Sequence, residues 1–309
     1  MSKSGSSGPG SGFPHAGADT NGPGGESKPS AAGGLVVVAT PIGNAADLGA
    51  RALDVLAGAD VIACEDTRVT AKLLAIHGIK TPTLSYHEHN AAQRAPAIIK
   101  RLKGGETVAL VSDAGTPLVS DPGYRLVGQC IEAGVALTAV PGPSSVMAAL
   151  VLSGLPTDRF FFQGFLAAKA GPRRRQLAEL AAVPATLVVM ESAKRLAAML
   201  TDAADALGPR AAAVTRELTK KFEEVRRGAL PELARHYRDA GPPKGEVTVV
   251  IGPPLAAEAP DAAAVDALLR TALSENSVRD AAQLVAEATG LARRDLYQRA
   301  LALQADRDE

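Results

Sequence analysis

From Leu35 onward, short unbroken apolar runs alternate with longer stretches of mixed polarity. LVVVA, DVIAC, TVALVS and VALTAV read as strands of a buried sheet. The stretches after them, beginning near Asp47, spanning Val69 to His77, after Asp121 and after Pro143, read as helices. Alternation at this spacing predicts a largely parallel sheet with helices on its faces. The pattern breaks at SGLPTDR, Ser153 to Arg159. Beyond it FFFQGF, ATLVVME, RAAAVT and EVTVVI supply a second set of strands, with helices near Arg173 to Ala182, Ser192 to Leu207 and Pro231 to Ala240, so a second α/β domain is expected. After GPPLAAEAP the segments are helical only. Ser277 reads as the N-cap of VRDAAQLVAEATG, Gly290 as its stop, and LARRDLYQRALALQ as a further amphipathic helix. The expected division is a tail over 1–33, α/β domains over 34–155 and 156–253, and a small helical appendix over 261–306.

The length of 309 residues, 46% of them hydrophobic, suits two domains with real cores. The first thirty or so residues depart from this. They are Gly, Ser and Pro with almost no apolar side chain, so they cannot offset their ordering entropy and read as a floppy tail. That stretch has no apolar core of a secretory signal, and no later window approaches the roughly eighteen apolar residues of a membrane span. A cytoplasmic protein is expected. Cys64 and Cys130, the only two cysteines, each sit in an apolar run and read as reduced, buried thiols. Lys plus Arg equals Asp plus Glu at 33 each, so net charge gives no sign of a nucleic-acid partner.

Three loops follow first-domain strands at their carboxyl ends, where open α/β sheets bind ligands. TPIGN, Thr40 to Asn44, is stiffened by Pro41 and lets a ligand approach at Gly43, but it is not the GxGxxG of a dinucleotide fold. ACEDTR carries Glu65, Asp66 and Arg68; helix capping by Asp66 and a functional role stand on equal terms. VSDAGTPLVSDPGY packs two Asp, two Pro and two Gly behind an apolar run, more constraint than a plain turn needs. YHEHN, Tyr86 to Asn90, lacks the cluster that would complete a metal site, so hydrogen bonding is favoured and no metal is expected. PGPSS, Pro141 to Ser145, reads as a turn and helix cap or as a ligand wall. RELTKKFEEVRRG, Arg216 to Gly228, is a charge run placed to edge a pocket. AAKAGPRRRQ reads as a flexible loop whose Arg173, Arg174 and Arg175 suit phosphate contact, with surface solubility as the alternative. Arg293, Arg294 and Arg299 of the helical appendix offer a second phosphate-binding group, unless those helices serve docking or dimerisation.

In this order and spacing, TPIGN, EDTR, SYHEHN, VSDAGTPLVSDPGYRLV, PGPSS, SGLPTDRFFFQGF and RELTKKFEEVRRG resemble the ribosomal RNA small subunit methyltransferase I family of the tetrapyrrole methylase superfamily. The match runs from about Leu35 to Ile251. The resemblance implies two α/β domains of tetrapyrrole-methylase type with a cofactor cleft between them, plus a helical appendix. It implies S-adenosylmethionine as cofactor, the 2'-hydroxyl of a cytidine ribose in 16S rRNA as methyl acceptor, the small ribosomal subunit as partner, and a homodimer. By resemblance Pro41, Gly43, Asp113, Ala114, Gly115, Ser144 and Ser145 line the cofactor, with Glu191, Ser192 and Glu217 facing it from the second domain. Where the family shows ESPHR this chain has ESAKR, Glu191 to Arg195, so no role for that Pro or His carries over.

Methyl transfer to a ribose hydroxyl gains from a nearby base or a cation that favours the alkoxide. Candidates for that catalytic part are Asp66, Arg68, Lys220, Lys221 and Glu223. The rival reading is a small-molecule methylase of the same superfamily, acting on a corrin or porphyrin precursor.

Overall fold

A computed structural model describes residues 33–121, 123–255 and 261–308, so the tail expected over 1–33 lies outside the described residues except for Gly33. Two compact units form: residues up to Pro41 with Ala45–Pro143, and Ile42–Asn44 with Ser144 onward.

The first unit runs β1 (Leu35–Val38), α1 (Ala50–Gly58), β2 (Val61–Cys64), α2 (Thr67–Ile76), β3 (Thr83–Ser85), α3 (Ala91–Lys103), β4 (Val108–Val111), α4 (Tyr124–Glu132) and β5 (Leu137–Val140). Its sheet is wholly parallel in the order β3-β2-β4-β1-β5. Successive strand residues face opposite sides, so the apolar runs fill two cores at once. Leu35, Val61, Ala63, Val108 and Leu110 pack with α3 and α4. Val36, Val38, Ile62, Cys64, Ala109 and Val111 pack with α1 and α2. The sequence reading passed over β3 and α3. β3 is only three residues long, and Pro96 inside α3 removes a helical donor and blurs the pattern.

The second unit holds α5 (Ser145–Ser153), β6 (Phe160–Phe165), α6 (Ala170–Leu180), β7 (Thr186–Ser192), α7 (Leu196–Leu207), β8 (Ala211–Arg216), β9 (Glu224–Ala229), α8 (Leu230–Ala240) and β10 (Glu246–Ile251). Strand order is β6-β7-β10-β8-β9, with only β6 and β7 parallel. Leu187, Val189, Val214, Val249 and Ile251 pack on α6, α7 and α8, while Val188 and Val250 face α5. That contact places α5 in the second unit, so the units divide at Pro143/Ser144 and not at 155. β9 is an edge strand inside the charge run that the sequence presented as a pocket edge. Pairing only with β8 leaves Arg226 and Arg227 exposed, which hides its strand pattern.

α9 (Ala262–Leu273), α10 (Val278–Thr289) and α11 (Arg293–Asp308) pack around Val265, Leu269, Ala282, Val285, Leu296 and Ala300. The Ser277 cap and Gly290 stop are both formed: Ser277 accepts from the Asp280 amide, and Gly290 is left-handed at φ 70°.

Candidate active site

In the first sheet β1 and β4 are neighbours, yet β1 connects leftward through α1 to β2 and β4 connects rightward through α4 to β5. With α1 and α4 on opposite faces, the loops after β1 and β4 diverge around a switch point, where such sheets take ligands. Those two loops are zipped together. The Thr40 amide donates to the Gly115 carbonyl at 2.9 Å and the Gly115 amide returns the bond at 3.0 Å. Thr40 Oγ1 donates to the Ser112 carbonyl at 3.1 Å, and Ser112 Oγ to the Gly115 carbonyl at 3.2 Å. Thr116 Oγ1 ties in the loop after β5 through the Pro143 carbonyl at 3.2 Å. Gly115 holds φ 83°, a conformation a Cβ penalises, and Ala114 beside it is exposed. The result is a rigid floor with small residues at its surface.

Three carboxylates gather at this edge. Asp113 accepts the Asp66 amide at 3.0 Å and so fixes the loop after β2. Burial, then the charge of Asp113, pushes Glu65 upward. Asp121, which the sequence reading left out of its site, is pushed up to about 6 by burial and then by the charges of Glu65 and Asp113. No hydrogen-bond or ion-pair partner of Asp121 occurs among the described residues. A carboxylate that titrates near neutrality is chemically suited to proton transfer. Its signal in the sequence was only the second Asp of VSDAGTPLVSDPGY.

Asp66 and Arg68 are committed elsewhere. Asp66 caps α2 by accepting the Arg68 amide at 2.8 Å, and its carboxylate pairs with the Arg68 guanidinium at 2.6 Å. These hydrogen bonds hold the Asp66 carboxyl well below its ordinary range. The base and cation that the sequence proposed are thus paired with each other. At YHEHN, Asn90 accepts the His87 amide and donates to the Ser85 carbonyl, a local tie. Among the described residues no group of three His, Cys, Asp or Glu side chains is placed to hold a metal.

In the second unit, Ile42–Asn44 lies against the turn between β8 and β9. The Asn44 amide donates to Thr219 Oγ1 at 3.1 Å. A Cβ on Gly43 would stand 2.5 Å from Lys220 Cγ and 2.9 Å from Thr219 Oγ1, so glycine is required by a close approach. Lys220 Nζ is clamped between Glu217 Oε1 at 2.9 Å and Glu246 Oε2 at 3.0 Å. Burial works against its charge, but the two carboxylates outweigh it and the Lys220 pKa rises. Glu223 accepts the Thr219 amide at 2.7 Å. Lys220 and Glu223, which the sequence reading gave to catalysis, thus also hold the turn in shape.

Ser144 caps α5 by accepting the Met147 amide, and Ser145 opens that helix. Glu191 is 2% exposed; its Oε1 holds Arg195 Nε at 2.7 Å and the Ser192 amide at 2.6 Å, and Oε2 is buried without a partner. That geometry points Glu191 inward to the start of α7, away from a surface role. The arginine of ESAKR is the part that the fold uses. Arg173 corrects the sequence reading most sharply. It lies on α6, not on a flexible loop, and is buried in a pair with Asp202, which also takes Arg174 Nε at 2.7 Å. Arg175 stays exposed. Arg293 and Arg294 are exposed at the start of α11, whereas Arg299 pairs with Asp266.

The family model described as Tetrapyrrole (Corrin/Porphyrin) Methylases matches residues 34–234, and one described as RsmI C-terminal HTH domain matches 259–304. The ribosomal RNA small subunit methyltransferase I of Mesorhizobium japonicum is 52% identical over 87% of this chain and 92% of its own length. That of Xylella fastidiosa is 47% identical over 87% and 99%. A solved structure of uroporphyrin-III C-methyltransferase from Thermus thermophilus, complexed with S-adenyl homocysteine, shares the fold at TM-score 0.50 and 21% identity, covering 71% of this chain and 97% of its own.

Proposed function

The chain belongs to the tetrapyrrole methylases, within them to the ribosomal RNA small subunit methyltransferase I family, and from that premise we propose that it moves a methyl group from S-adenosylmethionine to a ribose 2'-hydroxyl of a cytidine in 16S rRNA. The observation that carries this is near-full-length identity to relatives of that name, with the methylase segment and the helical appendix each matched. The corrin or porphyrin reading accounts for the first match but not for the second. The choice of 2'-hydroxyl and cytidine rests on the motif series from TPIGN to RELTKKFEEVRRG. Cytoplasmic residence, action on the small subunit and a homodimer belong to the same reading. Among the described residues no helix is long and apolar enough to cross a membrane.

The residues fit such a cofactor. The zipped Thr40–Gly115 floor with its exposed Ala114 offers backbone and small side chains rather than bulk. When bound, S-adenosylmethionine supplies a methyl carbon made electrophilic by its sulfonium. The chain's part is to hold the acceptor in line, exclude water, and take the hydroxyl proton. A carboxylate oxygen of Asp121 is the described group best matched to that proton. Arg175, Arg293 and Arg294, exposed and without ion-pair partners among the described residues, remain to meet phosphates; Arg173 does not.

The test supplies radiolabelled cofactor with either undermodified small subunits or a porphyrinogen precursor, then digests the RNA and locates the label. Label in ribose supports the reading. Label on a base nitrogen, or on the tetrapyrrole alone, overturns it.

A further inference from the structure

The turn between β8 and β9 is stiffer than its length requires. Glu217 and Thr219 hold φ 50° and 65°, conformations rarely taken by residues with a Cβ. Backbone bonds from Lys220 to the Glu217 carbonyl and from Glu223 to the Lys220 carbonyl close it, and the Lys220 clamp and Glu223 lock it from the side. At its tip stands Phe222, 65% exposed, the most exposed phenylalanine among the described residues in a chain only 3% aromatic. Lys221 Nζ lies 5.7 Å from the centre of that ring and has no carboxylate partner among the described residues.

We infer that Phe222 is a stacking platform for an unpaired RNA base, with Lys221 meeting the adjoining phosphate. Stacking on an aromatic ring beside a cation is a general way to hold unpaired nucleotides. The surroundings favour this occupant over a protein. The turn carries Lys220, Lys221, Glu223 and Glu224 beside this one ring, a charged setting that suits a nucleotide better than an apolar protein surface. A rigid tip also presents the ring without an ordering cost on binding. Placement agrees: Lys220, two residues from Phe222, packs against Gly43 of the loop assigned to the cofactor. The inference rests on the RNA reading above and adds a residue that grips the substrate.

The experiment compares Phe222→Trp, Phe222→Leu and Phe222→Ala in methylation of undermodified small subunits, with calorimetry for the cofactor and light scattering for mass. Leu and Ala should raise the KM for the subunit roughly tenfold, Trp should stay close to the parent, and cofactor affinity and mass should not change. Leu equal to Trp overturns stacking in favour of a plain apolar contact. Loss accompanied by a change in mass overturns it in favour of an interface between copies. A parent that labels RNA while Phe222→Ala behaves identically overturns this inference alone; a parent that labels no RNA overturns it together with the functional reading.

Discussion

Replacing Asp202 by Asn tests whether the basic cluster of α6 serves the fold or the substrate. In the parent, Asp202 Oδ2 takes Arg173 Nε at 2.7 Å and Nη2 at 2.5 Å, with the two side chains 4% and 7% exposed. Arg173 Nη1 also reaches the Ala168 carbonyl at 3.2 Å. Asparagine keeps the shape and one acceptor but leaves a buried guanidinium without a counter-charge. Stranding one member of a buried pair costs about 3–5 kcal/mol, and the retained acceptor argues for the lower end, about 3 kcal/mol. At roughly 2–4 °C per kcal/mol, melting should fall by about 6–12 °C in calorimetry. The loss should depend on pH. Burial opposes the Asp202 charge, but the hydrogen bonds from Arg174 and Arg173 outweigh it and hold its pKa below the ordinary 3.8. The parent's advantage is therefore complete above the ordinary carboxylate range and fades as pH falls through the folded value. Arg175→Ala, on the exposed face, should move melting by no more than about 0.5 kcal/mol equivalent. An Asp202→Asn protein that melts within 2 °C (roughly 1 kcal/mol or less) of the parent at neutral pH would refute the buried-pair account. So would an Arg173→Ala protein that keeps its stability and flattens the salt dependence of RNA binding.

Gly43→Ala should weaken cofactor affinity in calorimetry and cost about 1–3 kcal/mol of stability, because Lys220 is pinned at both carboxylates and cannot swing clear. Adding Lys220→Ala should restore part of the loss, and strict additivity would show that the two residues do not touch. Asp121→Asn should slow methyl transfer yet raise melting temperature. A carboxyl raised to about 6 in the folded protein weakens the fold as pH climbs from the ordinary 3.8 past 6, so the Asn gain should appear above pH 6 and vanish near pH 4. A variant of full activity, or one destabilised at pH 7.5, contradicts that role.

Much of the architecture was legible because buried parallel strands announce themselves as unbroken apolar runs. LVVV and VALV are buried along almost their whole length. The edge strand β9 was not legible, since its EVRRGA faces solvent and carries two exposed arginines. Of the site, the loops could be read but the roles of their charges could not. Lys220 looked reactive until Glu246, twenty-six residues on, was found beside it. Arg173 looked like its neighbours in GPRRRQ until helical periodicity buried it against Asp202, twenty-nine residues away, a carboxylate that Arg174 reaches only from the exposed side. Asp66 is the opposite case, a cap readable from its neighbour in the chain. Partners distant in sequence decide whether a charge is free, and periodicity carries no record of them.

The most direct test of the central claim is primer-extension mapping of 2'-O-methylation in 16S rRNA from a strain lacking this gene, beside the same strain with the gene restored. One ribose methylation on a cytidine should be missing from the first and present in the second. A complete set of ribose methyl groups in the deletion strain would contradict the account.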